Sequence, residues 1–100
     1  MNVEITQTDN RVMVALEGRL DTMTAPEFEK NVTPYFSMSA VELILDCVAM
    51  EYISSAGLRV VLMTHKNVTA HGGRFIIRNL SKEVRAVFDM TGFSRILTIE

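Results

Sequence analysis

Asp46-Cys-Val-Ala-Met-Glu-Tyr-Ile-Ser-Ser-Ala-Gly-Leu-Arg-Val-Val-Leu62 is the stretch on which the reading of this chain turns. It follows an apolar run, Val41 to Leu45, with the character of a buried strand, and it passes into an amphipathic helix. Between the two lie the paired hydroxyls of Ser54 and Ser55. A serine at a helix start ordinarily accepts a hydrogen bond from a free backbone N–H, and one serine suffices for that. The small residues Ala56 and Gly57 are expected to leave the backbone there accessible. The positive end of the helix dipole would favour an added phosphate. Ser55 is therefore a candidate switch, and Ser54 is the expected cap.

Working outward, Val3 and Ile5 alternate with polar neighbours, and Val12, Val14 and Leu16 do so again after the turn cluster Thr8-Asp9-Asn10. Two paired strands are predicted, with Gly18 closing the second. Thr24 and Glu27 have capping-box spacing, and Pro26 suits a first helical turn. Ala25, Phe28, Val32, Tyr35 and Phe36 then share one helical face, which Pro34 should kink or end. Val41 to Leu45 is read as a strand that is central or covered on both sides, and residues 47–53 as a connecting loop.

A second helix is predicted over about 55–71, with Leu58, Val61, Leu62, His65 and Val68 inward and His71-Gly72-Gly73 as its stop. Arg74 to Arg78 is another short buried strand. Ser81 caps a third helix that turns Val84, Val87 and Phe88 inward and ends at Thr91-Gly92. Ile96, Leu97 and Ile99 supply a last extended segment. Strands alternating with helices imply an α/β fold, with parallel neighbours joined by right-handed crossovers.

Composition narrows the function. One hundred residues make one domain, residues 1–100, and 48 % apolar residues suffice for a globular core. A formal charge of −2, with no basic stripe interleaved with aromatics, argues against nucleic acid or an anionic membrane as partner. The longest apolar stretches are about five residues, far short of the ~20 that span a bilayer. Met-Asn-Val-Glu-Ile at the start carries no signal peptide, and a single cysteine, Cys47, fits a reducing compartment. A cytoplasmic protein is expected.

Asp46 through Leu58, with its Tyr-Ile-Ser-Ser-Ala-Gly-Leu centre, resembles the signature of the STAS domain, and within it the single-domain bacterial anti-sigma factor antagonists. Gly18-Arg-Leu-Asp21 followed by Thr24-Ala-Pro26, and Thr91-Gly92-Phe93 after the third helix, extend the resemblance over essentially the whole chain. It implies a mixed β-sheet of about four to five strands with three helices packed mainly on one face. It also implies partner switching. The unphosphorylated protein binds an anti-sigma factor that is itself a serine kinase and so frees a sigma factor. Phosphorylation ends the association, and a PP2C-type serine phosphatase resets it. Counting back from Gly57 places the family's phosphorylated hydroxyl on Ser55. The family's preceding aspartate is replaced here by Ser54, which stands as second choice. The implied partner-binding face comprises Asp21, Thr22, Ser54, Ser55, Ala56, Gly57, Arg59 and Met63.

Each of these residues also has a plainer reading. Ser55 is otherwise a capping or loop serine, Asp21 a carboxylate capping the turn before Thr24, and Arg59 a solvated helix charge. Met23, Met50 and Met63 read as core filler, although Met63 lies off the main apolar stripe and suits an adaptable contact. Tyr52 is expected half-packed under its loop, and Cys47 as a small buried hydrophobe. Neither His65 nor His71 has metal-ligand spacing with Cys47, so no metal is assigned. With no Gly-x-Ser-x-Gly elbow, no acid to orient a histidine and no glycine-rich phosphate loop, neither an enzyme nor a cofactor is expected. The alternative is a docking subunit: STAS-like modules also serve in lipid-transport complexes and anion transporters, without phospho-switching.

Overall fold

The period-two patterning at the start becomes a hairpin. In the computed structural model, which describes residues 1–100, β1 (Asn2–Thr8) pairs antiparallel with β2 (Arg11–Leu20), from Asn2↔Glu17 to Thr8↔Arg11. Asp9, at the turn, takes the left-handed φ of 56° that Asp and Asn tolerate. The remaining strands are β3 (Glu42–Asp46), β4 (Met50–Ile53), β5 (Arg74–Arg78) and β6 (Thr98–Ile99). The helices are α1 (Ala25–Val32), α2 (Ser55–Ala70) and α3 (Lys82–Thr91). Pro34 ends α1 as predicted, leaving a single 3₁₀ turn at Thr33–Tyr35.

The sheet runs β1-β2-β3-β5-β6, with β2, β3, β5 and β6 parallel. The connections through α1, α2 and α3 each step in the same direction across that order. Right-handed crossovers that all step the same way put their helices on the same face. Phe28 and Val32 of α1, Leu58, Val61 and Val68 of α2, and Val84 and Phe88 of α3 accordingly share one core with Val12, Val14, Leu16, Leu43, Leu45, Phe75 and Ile77. On the opposite face Met13, Ile44 and Ile76 stand in register as a short apolar row. Ile44, in the central strand, is 0 % exposed. This explains the nearly unbroken apolar run from Val41 to Leu45: its strand has neighbours on both edges and is covered on both faces.

The sheet has six strands where four to five were expected. The difference lies in β4, whereas the two-residue β6 falls within the last extended segment read from the sequence. Gly18 does not close the second strand. It takes φ +96° at a register shift, beyond which Arg19 and Leu20 pair with Tyr52 and Ile53 of β4. The 47–53 segment is thus a turn followed by a strand. Four residues with a buried-exposed-exposed-buried pattern carry no period-two signal, so β4 is invisible to pattern reading.

The buried stripe of α2 is also rotated from its expected position. Gly57, Leu58, Val60, Val61, Thr64 and Val68 face inward, whereas Leu62 and His65 are only partly covered. Thr64 is admitted to the core because its hydroxyl donates to the Val60 carbonyl at 2.8 Å, which satisfies the donor inside the helix itself. Hydrophobicity alone favours Leu62 over Thr64, and so misplaces the stripe.

Candidate functional site

The carboxyl ends of parallel strands in an open α/β sheet are where loops gather and sites form. Here β2 and β4 end side by side, with the Ser54 N–H donating to the Leu20 carbonyl at 2.9 Å. The 21–24 turn and the first turn of α2 are thereby neighbours. At the same edge, Asp46 ties two further loops together. Its Oδ1 accepts from the Val48 N–H at 3.1 Å and from Asn79 Nδ2 at 3.0 Å.

The two serines have different roles. Ser54 is the N-cap, in extended geometry at φ −100° and ψ 176°. Its Oγ accepts the Gly57 N–H at 3.4 Å, and its carbonyl accepts the Leu58 N–H at 2.9 Å. Ser55 is the first helical residue. It is exposed, and its hydroxyl makes no hydrogen bond within the chain. The cap consumes one hydroxyl and leaves the other available.

Ala56 is partly covered and Gly57 is buried. The expectation that Gly57 leaves the backbone open is not met, because its missing side chain serves packing. A Cβ there would lie 2.7 Å from Leu20 Cγ, 3.0 Å from Ile53 Cγ1 and 3.0 Å from the Leu20 carbonyl oxygen. Glycine lets α2 start directly against the paired ends of β2 and β4, which fixes where Ser55 stands. Arg59, one turn along, is exposed, and Met63 after it is half-buried against the core.

Asp21 organises the neighbouring turn. Its Oδ1 accepts the N–H groups of Met23 at 3.0 Å and Thr24 at 3.2 Å. Thr24 Oγ1 accepts the Asp21 N–H at 2.9 Å and donates to the Arg19 carbonyl at 2.9 Å. The expected capping box at Thr24 and Glu27 does not form, since the Thr24 hydroxyl is drawn back into this turn. Partial desolvation works to raise the Asp21 pKa. The hydrogen bonds from Met23 and Thr24, with Arg19 at 3.6 Å, outweigh that and hold the carboxyl below the usual carboxylate range.

This turn presents Thr22 and Met23 to solvent. Met23, read from the sequence as core filler, is 86 % exposed. Its place in the chain already hinted at this, since it falls outside the Ala25-Phe28-Val32 spacing that α1 buries. Arg19 and Tyr52 were missed as a pair. The guanidinium lies 4.1 Å from the centroid of the tyrosine ring, a cation–π contact across the β2–β4 register. No local signal announces it, because the contact exists only once β4 pairs.

Elsewhere, Met50 is buried as expected and Cys47 is a buried free thiol. The surface depressions are lined by other residues and none includes Ser54, Ser55 or Arg59. No helix is long and apolar enough to cross a membrane.

Comparison with known proteins agrees with this geometry. The anti-sigma-B factor antagonist of Bacillus subtilis is 31 % identical over 99 residues, covering 99 % of this chain and 90 % of that protein. The unphosphorylated anti-sigma factor antagonist SpoIIAA superposes with a TM-score of 0.78 at 23 % identity, covering 99 % of this chain and 87 % of its own. The phosphorylated form of SpoIIAA, a Bacillus cell fate determinant, superposes at 0.77, also at 23 % identity, covering 99 % and 91 %. The likeness to SpoIIAA is one of fold. The STAS domain profile matches residues 2–100, and with the sheet order, the Ser54 cap and the free Ser55 in place, the chain belongs to the STAS domain family.

Proposed function

We propose that the protein is an anti-sigma factor antagonist switched by phosphorylation of Ser55. In its bare form it binds an anti-sigma factor that is itself a serine kinase, and this frees a sigma factor. Within that complex the Ser55 Oγ attacks the γ-phosphorus of ATP, gives up its proton and expels ADP. A PP2C-type phosphatase later hydrolyses the ester to serine and inorganic phosphate. The observation that carries the reading is the division of labour at the start of α2. Ser54 holds the helix end, while the Ser55 hydroxyl is exposed and uncommitted.

The physics fits such a switch. A phosphoserine brings about −1.5 to −2 charges at neutral pH. Against an acidic or apolar partner surface that charge opposes binding, whereas the N-terminus of its own helix tolerates it. The binding surface comprises Asp21, Thr22, Ser54, Ser55, Ala56, Arg59 and Met63, with Met23 added from its exposure. Gly57 shapes that surface from beneath. Asp21 acts in it by holding the turn that presents Thr22 and Met23.

The test combines variants with the kinase partner and ATP. Ser55→Ala folds, binds the kinase and is not released by ATP. Ser55→Asp folds and binds weakly. If ATP modifies Ser55→Ala as readily as wild type, Ser54 is the acceptor. If the partner recovered is a transporter subunit without ATP-binding activity, the protein is a docking module instead.

A further inference from the structure

The phosphoryl group on Ser55 needs a cationic partner or full hydration, and α2 supplies the cation. We infer that phosphorylated Ser55 is held by Arg59 of the same helix, so that Arg59 is an intramolecular receptor for the phosphoryl group. This rests on the assignment of Ser55 as the acceptor.

Two observations and two general properties of helices lead there. Ser55 and Arg59 are separated by four residues inside α2 and are both exposed, so they lie one above the other on its open face. Helical side chains lean toward the N-terminus, which puts the turn that carries Ser55 within reach of the Arg59 side chain. The order of the charges, anion first and cation one turn later, is the favourable one for an i,i+4 pair. Finally, Arg59 takes part in none of the ion pairs, which engage Arg11, Arg19, Arg78 and Arg85.

The sequence of α2, Ser-Ala-Gly-Leu-Arg-Val-Val-Leu-Met-Thr-His-Lys-Asn-Val-Thr-Ala, contains no aspartate or glutamate. The residues within helical reach of Arg59 are Ser55, Ala56, Leu62 and Met63, and Ser55 alone among them can become an anion. Arg19 is the rival cation from the neighbouring turn, but it is already shared between the Asp21 carboxylate and the Tyr52 ring. Arginine also matches a phosphate through two parallel N–H donors, which a lysine cannot offer.

The consequence for the switch is that one modification changes two features of the face. It adds an anion at Ser55 and turns the Arg59 guanidinium from solvent and partner toward its own helix. No backbone movement is required.

The test uses the full chain with phosphoserine installed at position 55 during translation, so that no kinase is needed. Phosphorus NMR then follows the second ionisation of the phosphate with pH in wild type, Arg59→Gln, Arg59→Lys and Arg19→Gln. The remaining charged groups of the neighbouring turn and strand, Asp21 and Glu51, are common to all four proteins. The expected result is a phosphate pKa about 0.3 unit lower in wild type than in Arg59→Gln, the size an exposed i,i+4 pair gives. Arg59→Lys falls between the two, and high salt erases the difference. Superimposable titrations of wild type and Arg59→Gln overturn the inference, as does a shift that follows Arg19→Gln instead. Either result leaves the identity of the acceptor untouched, since that is decided by where the kinase places its phosphate.

Discussion

At the scale of single residues, Ser54 and Ser55 should separate cleanly in a denaturation experiment. Removing the cap with Ser54→Ala costs about 1 kcal/mol, which in a domain of this size lowers the melting temperature by about 4–8 °C. Ser55→Ala removes no internal contact and should stay within about 0.5 kcal/mol of wild type. Asp21 gives a pH signature. Its folded pKa lies below the ordinary value, so its charge contributes stability that is fully present above about pH 4 and is lost as pH falls through the folded value. The urea midpoint of Asp21→Asn should therefore trail wild type by a constant margin at neutral pH, and the margin should close below about pH 4. Cys47 is the opposite case. Burial, and secondarily the Asp46 charge, push its thiol up to about 12. A thiol reagent at pH 8 should label it only as fast as the domain opens, and immediate labelling of native protein would contradict the burial.

At the scale of elements, the start of α2 combines a tight packing contact with a chemically free surface. Gly57 seats the helix against Leu20 and Ile53, and the added methyl of Gly57→Ala would force the buried Leu20 side chain to shift and press on Ile53 and the Leu20 carbonyl. The variant should lose about 1–3 kcal/mol, an overpacking cost. It should also weaken partner binding, because the Ser55 turn is pushed away from the 21–24 turn. Calorimetry of the variant beside Ser55→Ala distinguishes the two positions. An unchanged melting temperature for Gly57→Ala would show that α2 does not sit this close. The first turn of α2 has free backbone N–H groups and the positive end of the dipole, so aspartate or phosphate at Ser55 should leave the melting temperature unchanged or slightly raised.

At the scale of the whole molecule, the central strand β3 is paired on both edges, β1 and β6 lie at the margins, and Ser55, the proposed acceptor, stands at one end of the sheet. A charge added at that end has no lever on the core. Hydrogen exchange should be slowest through β3 and its neighbours, and phosphorylation should alter protection only in the 21–24 turn and the first turn of α2. Altered exchange in β3 or β5 would mean that the switch works through the fold rather than at its surface.

Much of this was open to reading from the chain alone. The hairpin, the three helices, the buried run at Val41 to Leu45, the stop at Pro34 and the serine pair before Ala56-Gly57 all rest on local spacing, capping or backbone chemistry. These act within one or two turns of chain, where order along the sequence and nearness in space coincide. What required the tertiary structure was whatever depends on residues far apart. Gly18 became a register shift because β4 arrived to pair beyond it. Gly57 became buried because two strand ends lie under it, and Met23 became exposed because its turn is held by Asp21. Thr64 displaced Leu62 from the inward stripe once α2 was rotated against the sheet. Each turns on which surfaces meet, and that is decided by the packing of the whole sheet rather than by any stretch of the chain.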